Sequence, residues 1–341
     1  MPCMFCGSEL NLTNEHVFPA FMGGELEVRD GSCKTCNGEM GAFEAAIKDH
    51  TKLLLNLLQI ENRYGVVPQA RAEVEIRGMD KKGLLGFVDG KGVLSLRDVV
   101  IKTRTTDGRK REEGFFVSKD SADKFVERAR ARGQQVEELQ FPRQIIVEGT
   151  YSVTLPFAFS LEARKVASKI ALAAIAHEYG LPFALSDQFD GLRKAKNAAT
   201  AEDLTLRIFS NKLFMAVYRR TAHQHSVMCY LSAGMKKGWA LVTLFGGLSY
   251  IVEVTSTYLE RNSRQFSIFY DAATKKRTNP VVLADEMTVI GHILSPASLF
   301  EDELAVDAQW FPIIADYCAE RGIEVGRIGK RPSPGNTSRQ T

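Results

Sequence analysis

Three features of the 341-residue sequence predict an α+β protein, with a small turn-rich N-terminal module followed by a larger mixed domain built on antiparallel sheet. Four of the six cysteines (Cys3, Cys6, Cys33 and Cys36) crowd the first 36 residues. Short runs of alternating polarity recur from Arg71 onward at hairpin spacing. Helical periodicity is confined to a few isolated stretches, so the chain has no regular parallel βα series.

Taken in order, residues 1–37 are turn-rich, and Phe43, Ile47, Leu53, Leu54, Leu57 and Leu58 then make one apolar face, which predicts a helix over about 37–62. Gly65 and Pro68 interrupt it, placing a joint at 63–70 between an N-terminal module (1–62) and a second domain (70–328). Alternation predicts strands at 72–76, 84–88, 93–96 and 99–102, and further strand within 144–156. Ser118 followed by Ala122-Asp123-Lys124-Phe125-Val126 predicts a capped helix of about three turns ending at Gly133. The clearest helix is 161–179, where Val166, Ile170, Ala173, Ala174 and His177 recur at three- and four-residue steps and Gly180-Leu181-Pro182 stops it. Strands follow at about 212–219, 226–233, 239–245, 249–255 and 265–270, then a helix near 300–321. The Pro-, Gly- and Ser-rich tail 329–341 has no apolar anchor and is expected to be disordered.

Composition narrows the function. With 45% apolar and 25% charged residues the chain can bury a core and is neither disordered nor collagen-like. The longest apolar stretch, 239–254, is broken by Gly246, Gly247, Ser249 and Glu253, so no membrane span is expected; without a basic-then-apolar leader the expected location is the cytoplasm. Neither GxxxxGK[ST] nor GxGxxG occurs, which argues against a nucleotide motor or dinucleotide site. The net charge of +3 is uneven: residues 1–50 hold three basic against eight acidic residues, leaving +8 for the remainder. Residues 193–220 carry seven basic against two acidic residues, so Arg193, Lys194, Lys196, Arg219 and Arg220 are the candidates for nucleic-acid backbone contact.

Cys3-x-x-Cys6 and Cys33-x-x-Cys36 each present two thiolates, and four such soft ligands complete a tetrahedral shell around Zn2+. A closed shell leaves no position for water, so this ion would be structural, holding a module too small for a sufficient core. A redox role needs a βαβ setting, which neither pair has.

Between the knuckles lie Thr13-Asn14-Glu15-His16-Val17-Phe18-Pro19 and Gly23-Gly24, and Asn37 follows Cys36 directly. Phosphodiester hydrolysis needs a deprotonated water, charge relief at the phosphoryl oxygens and a stabilised leaving oxygen. An imidazole such as His16, with an ordinary pKa of about 6.5, accepts a proton near neutrality. Glu15 and Asn37 are hard oxygen donors suited to Mg2+ or Mn2+. Neighbours on a strand point to opposite faces, so Glu15 and His16 converge on one site only where the backbone turns, which Pro19 and Gly23-Gly24 favour. Asn37 also suits a helix N-cap. His177 reads as a core or half-buried helix residue, and His223-x-His225 as the polar end of a hairpin.

The order Cys-x-x-Cys, Glu-His-x-x-Pro, Gly-Gly, Cys-x-x-Cys-Asn resembles the zinc-supported HNH endonucleases over about residues 1–45, and says nothing of 70–341. The resemblance implies a ββα-metal finger that hydrolyses DNA to 5′-phosphate and 3′-hydroxyl ends. It implies His16 as general base, with Glu15 and Asn37 holding one catalytic Mg2+ or Mn2+. HNH fingers usually carry a middle asparagine that orients the base. Here Val28-Arg29 stands in that stretch, leaving the role to a backbone carbonyl, Glu27 or Asp30. A finger joined to a larger domain also resembles effector nucleases of antiviral defence systems and mobile elements, whose second domain senses a regulatory ligand, recruits a protein partner or reads DNA. The competing reading is a non-catalytic zinc module that binds nucleic acid or a protein partner.

Overall fold

In the computed structural model, which describes residues 2–76, 84–91, 94–96, 99–104, 110–116, 118–136, 147–150, 160–204, 206–209, 220–279 and 303–321, the chain opens with a loop carrying Cys3 and Cys6. Strands β1 (Leu12–His16) and β2 (Glu27–Cys33) then pair antiparallel and lead into helix α1 (Lys34–Leu57). Their connection contains the short 3-10 turn Ala20–Met22, closed by Gly23 at φ 82°. At Gly24 a Cβ would come 2.1 Å from the carbonyl oxygen of Phe18, so only glycine fits. The pairing carries a bulge: Thr13 faces Ser32 but Glu15 faces Val28, with Asp30 taking a left-handed φ of 53°.

Helix α1 starts before the predicted residue 37 because the Cys33-x-x-Cys36 knuckle is itself the entry to the helix, with the Lys34 N–H donating to Asn11 O at 2.9 Å. It stops before 62 because Gln59 turns left-handed (φ 53°) and the Ile60 N–H reaches back to Leu55 O at 2.9 Å. Leu58 and Ile60 stay fully buried beyond the last turn, so the apolar pattern outlasts the helix.

The chain divides into two units, Met1–His50 with Thr154–Thr341, and Thr51–Val153. In the latter, β3 (Ala70–Ile76), β4 (Leu84–Val88), β5 (Leu94–Leu96) and β8 (Val147–Thr150) form a sheet in the order β5-β4-β3-β8, while β6 (Val99–Arg104) and β7 (Lys110–Phe115) make a separate hairpin. Helix α2 (Lys119–Ala131) is capped by Ser118, whose Oγ accepts the Ser121 N–H at 3.2 Å. Asn56 closes the end of α1, donating to Pro68 O and Asp89 O, each at 2.9 Å.

The first unit is organised around α3 (Leu161–Tyr179), capped by Ser160 and ended by Gly180 at φ 88°. From Ala163 to Ala176 every residue of α3 is buried, including Arg164, Lys165 and Lys169. It packs on β2 and on an antiparallel sheet of β9 (Leu206–Phe209), β10 (Gln224–Ser232), β11 (Lys237–Leu244), β12 (Leu248–Thr255), β13 (Arg264–Asp271) and β14 (Lys276–Arg277). The sheet order is β14-β13-β10-β11-β12-β9. A last helix, Glu303–Ala319, follows. The architecture is therefore mixed α+β with antiparallel sheet. The expected strand at 212–219, Arg219 and the tail 329–341 lie outside the described residues, as does most of 144–156. Among the described residues no helix is long and apolar enough to cross a membrane.

One expectation is corrected here: His225 is not at a polar hairpin end but fully buried within β10. Its Nδ1 accepts the Phe245 N–H at 3.2 Å, which leaves Nε2 to donate to Met22 O at 3.1 Å. The β1–β2 connection is held further by Tyr270, whose hydroxyl donates to Gly23 O (2.9 Å) and accepts the Glu25 N–H (3.0 Å). The Phe18 ring lies 5.5 Å from that of His225 and 5.7 Å from that of Tyr270. The N-terminal module is thus packed into the sheet unit by buried polar and aromatic contacts.

Candidate functional site

The four N-terminal cysteines converge although they come from a loop, a strand end and a helix turn. Their sulfurs lie within 4.8 Å of one another, with Cys6 Sγ to Cys33 Sγ at 3.7 Å. Four sulfurs about 2.3 Å from one tetrahedral ion stand roughly 3.8 Å apart, so the donor set and its spacing fit Zn2+. Cys3, Cys33 and Cys36 are buried and Cys6 is exposed. The Cys36 N–H points at Cys33 Sγ (3.5 Å), and this donor pulls the Cys33 thiol down to about 7. From the segment after α3, Lys196 Nζ reaches Cys36 Sγ at 3.3 Å and Glu39 Oε2 at 2.5 Å.

Glu15 and His16 end β1, at the far end of the strand from Leu12, which pairs with Cys33. Strand alternation is visible in their surroundings: Glu15 is buried while His16 keeps partial exposure, so the backbone turn expected to bring the two side chains together does not fall between them. His16 Nε2 stands 3.4 Å from Glu27 Oε1, directly across the β1–β2 pairing, and the other Glu27 oxygen accepts from Asn14 Nδ2 at 2.7 Å. Of the residues the sequence left to orient the base, Glu27 therefore faces the imidazole. His16 Nδ1 is buried without a hydrogen-bond partner. Desolvation by burial pushes the His16 pKa below its ordinary 6.5, against the opposing pull of Glu27.

Glu15 Oε1 accepts a 2.7 Å ion pair from Lys169 Nζ, and Glu15 Oε2 is buried without a partner. The same ammonium reaches Glu44 Oε1 at 3.0 Å and donates to His16 O at 2.6 Å. Burial alone would lower the Lys169 pKa, but the Glu44 and Glu15 carboxylates outweigh it and hold the group above its ordinary value. Asn37, in the first turns of α1, donates Nδ2 to Thr13 Oγ1 at 2.9 Å, leaving Oδ1 as its donor atom toward a cation. Glu15 Oε2, a buried carboxylate oxygen without a hydrogen-bond partner, and the amide oxygen of Asn37 are each hard donors of the kind that Mg2+ or Mn2+ takes.

The basic candidates are mostly committed internally. Arg193 donates to Leu185 O and pairs with Asp190, Lys196 is held at Cys36 and Glu39, and Arg220 donates to Gly246 O at 3.2 Å. Lys194 is the outlying one, its side chain 75% exposed and 3.7 Å from Asp190 Oδ2. His177 is half-buried on α3, as expected, with Nδ1 3.1 Å from Glu27 O. Sequence reasoning missed Lys169, Glu44 and Thr13. Lys169 had a signal, since a lysine between Ala167 and Ile170 in an apolar helix must find a partner if buried.

No curated protein and no solved structure matches the chain. Residues 3–51, the span that holds both cysteine pairs, β1, β2, the start of α1 and the Glu15–His16 pair, match the HNH endonuclease family, so this stretch is similar to metal-binding nuclease modules and carries four cysteines placed for zinc.

Proposed function

We propose that the protein is a metal-dependent endonuclease or nickase that hydrolyses DNA phosphodiester bonds at the Glu15–His16 pair. The observation that carries this reading is His16 itself: Nε2 is set against the Glu27 carboxylate while Nδ1 has no partner. A carboxylate beside Nε2 favours the proton there and leaves the Nδ1 lone pair as the base, and burial keeps the ring in its neutral form at pH 7. His16 takes the proton of the attacking water. Glu15 and Asn37 would hold the divalent cation, and the Cys3, Cys6, Cys33 and Cys36 cluster would fix the end of β2 against the first turn of α1, which carries Asn37. A bound Mg2+ or Mn2+ supplies charge relief at the phosphoryl and leaving oxygens. Among the described residues of the basic segment, Lys194, 75% exposed, is the one proposed to meet DNA phosphates. We assign the protein to the cytoplasm as an effector nuclease of antiviral defence or of a mobile element. In that role residues 70–328 sense a regulatory ligand, recruit a protein partner or read DNA.

One observation favours a second reading. The Lys169 ammonium already neutralises Glu15, as in a module that binds nucleic acid or a protein partner without cutting. Supercoiled plasmid with Mg2+ or Mn2+ separates the two. The nuclease converts it to nicked or linear product and loses this in Glu15→Gln, whereas retardation of the plasmid without any cleavage selects the binding module.

A further inference from the structure

The Glu15 site holds a cation of its own. Lys169 lies in the part of α3 that is buried on every side, and its side chain is 1% exposed. A lysine so placed is costly unless paired, and its pairing is complete: Glu15 Oε1 at 2.7 Å, Glu44 Oε1 at 3.0 Å and the carbonyl of His16 at 2.6 Å. Two of these three partners belong to the adjacent pair to which cleavage is assigned. The third lies on α1 seven residues beyond Asn37, hence two turns further along the same helix face. One ammonium therefore ties together β1, α1 and α3 at the point where the divalent ion would bind.

We propose that Lys169 is a built-in counter-ion of the Glu15 site, holding the carboxylate in place and competing with the divalent cation for it. The identity of that cation rests on the nuclease reading above. A positive charge in contact with Oε1 repels a dication at Oε2 across the width of one carboxylate, where little water screens it. The free protein then binds its divalent ion weakly, and removing the ammonium charge tightens binding. A lysine that only filled space and satisfied hydrogen bonds would give the opposite result, since its loss would loosen the site and weaken binding.

The test titrates Mn2+ into the zinc-loaded full-length protein and follows free Mn2+ by electron paramagnetic resonance. Lys169→Gln keeps hydrogen-bonding capacity and removes the charge, and is expected to bind Mn2+ about tenfold more tightly than the wild type. Lys169→Arg keeps the charge and should bind as the wild type does, and Glu15→Gln should lose the site. Should Lys169→Gln not fold, Glu44→Gln gives the reverse change: it leaves Glu15 as the one carboxylate facing the ammonium and should weaken Mn2+ binding severalfold. Equal or weaker binding in Lys169→Gln, unchanged binding in Glu44→Gln, or Mn2+ retained in Glu15→Gln overturns the proposal. None of these readouts involves DNA. Cleavage that survives His16→Ala would refute the nuclease reading and leave the Mn2+ comparison standing, while equal Mn2+ affinities would refute the counter-ion with the nuclease reading intact.

Discussion

A general base is useful only if one of its nitrogens is reserved, and for the base proposed at His16 one carboxylate and a strand register would do this. Glu27 faces it across the β1–β2 pairing and is itself held by Asn14. Glu27→Gln should slow cleavage by about tenfold or more while zinc content and DNA binding stay unchanged, measured as single-turnover plasmid nicking. A rate equal to wild type would mean that the imidazole is oriented by something else. The other residue-scale constraint is steric. Gly24→Ala forces a Cβ into the backbone of Phe18, so thermal unfolding should show a loss of at least about 2 kcal/mol; a wild-type melting temperature would show that the loop relaxes freely.

At the scale of elements, the zinc knuckle and α1 are one object, because Cys33 ends β2 and Cys36 lies in the helix's first turn. About one zinc per chain is expected, resistant to mild chelation, and Cys36→Ser should release it and unfold the start of α1. Lys196 donates to the Cys36 sulfur from beyond α3, so Lys196→Met should cost roughly tenfold to a hundredfold in zinc affinity, read by chelator competition. Unchanged affinity would show that the sulfur needs no such donor. These elements differ in how legible they were. The convergence of the four cysteines could be read from residue type and spacing, and α3 from its periodicity and its Gly180 stop, because each signal is local. Lys169, Lys196 and the burial of His225 could not be placed, since their partners lie more than a hundred residues away in the chain. The end of α1 was misjudged for a physical reason: Gln59 adopts a left-handed conformation without being glycine, while the apolar pattern runs on to Ile60.

For the molecule as a whole, residues 1–50 belong to the same unit as the six-stranded sheet, and His225 is a buried imidazole where the two pack. Its pKa is pushed down to about 4 by burial, with the neighbouring His223 adding to the depression and the Met22 carbonyl and Asp271 opposing it. An imidazole whose folded pKa is depressed costs nothing above its ordinary 6.5. As pH falls below 6.5 the unfolded chain takes up the proton first, so stability is lost down to about 4, by on the order of 3 kcal/mol. Urea unfolding between pH 7 and 4 should show this slope, reduced in His225→Gln; identical slopes in the two proteins would place the proton uptake elsewhere. The central claim, however, is chemical, and one comparison reaches it most directly: conversion of supercoiled plasmid with Mg2+ by wild-type protein and by His16→Ala, at matched zinc content and matched melting temperature. The wild type should nick or linearise the plasmid, with a rate at least about a hundredfold above the variant. Equal rates would contradict the assignment of the base, and with it the nuclease centre built around Glu15 and Asn37.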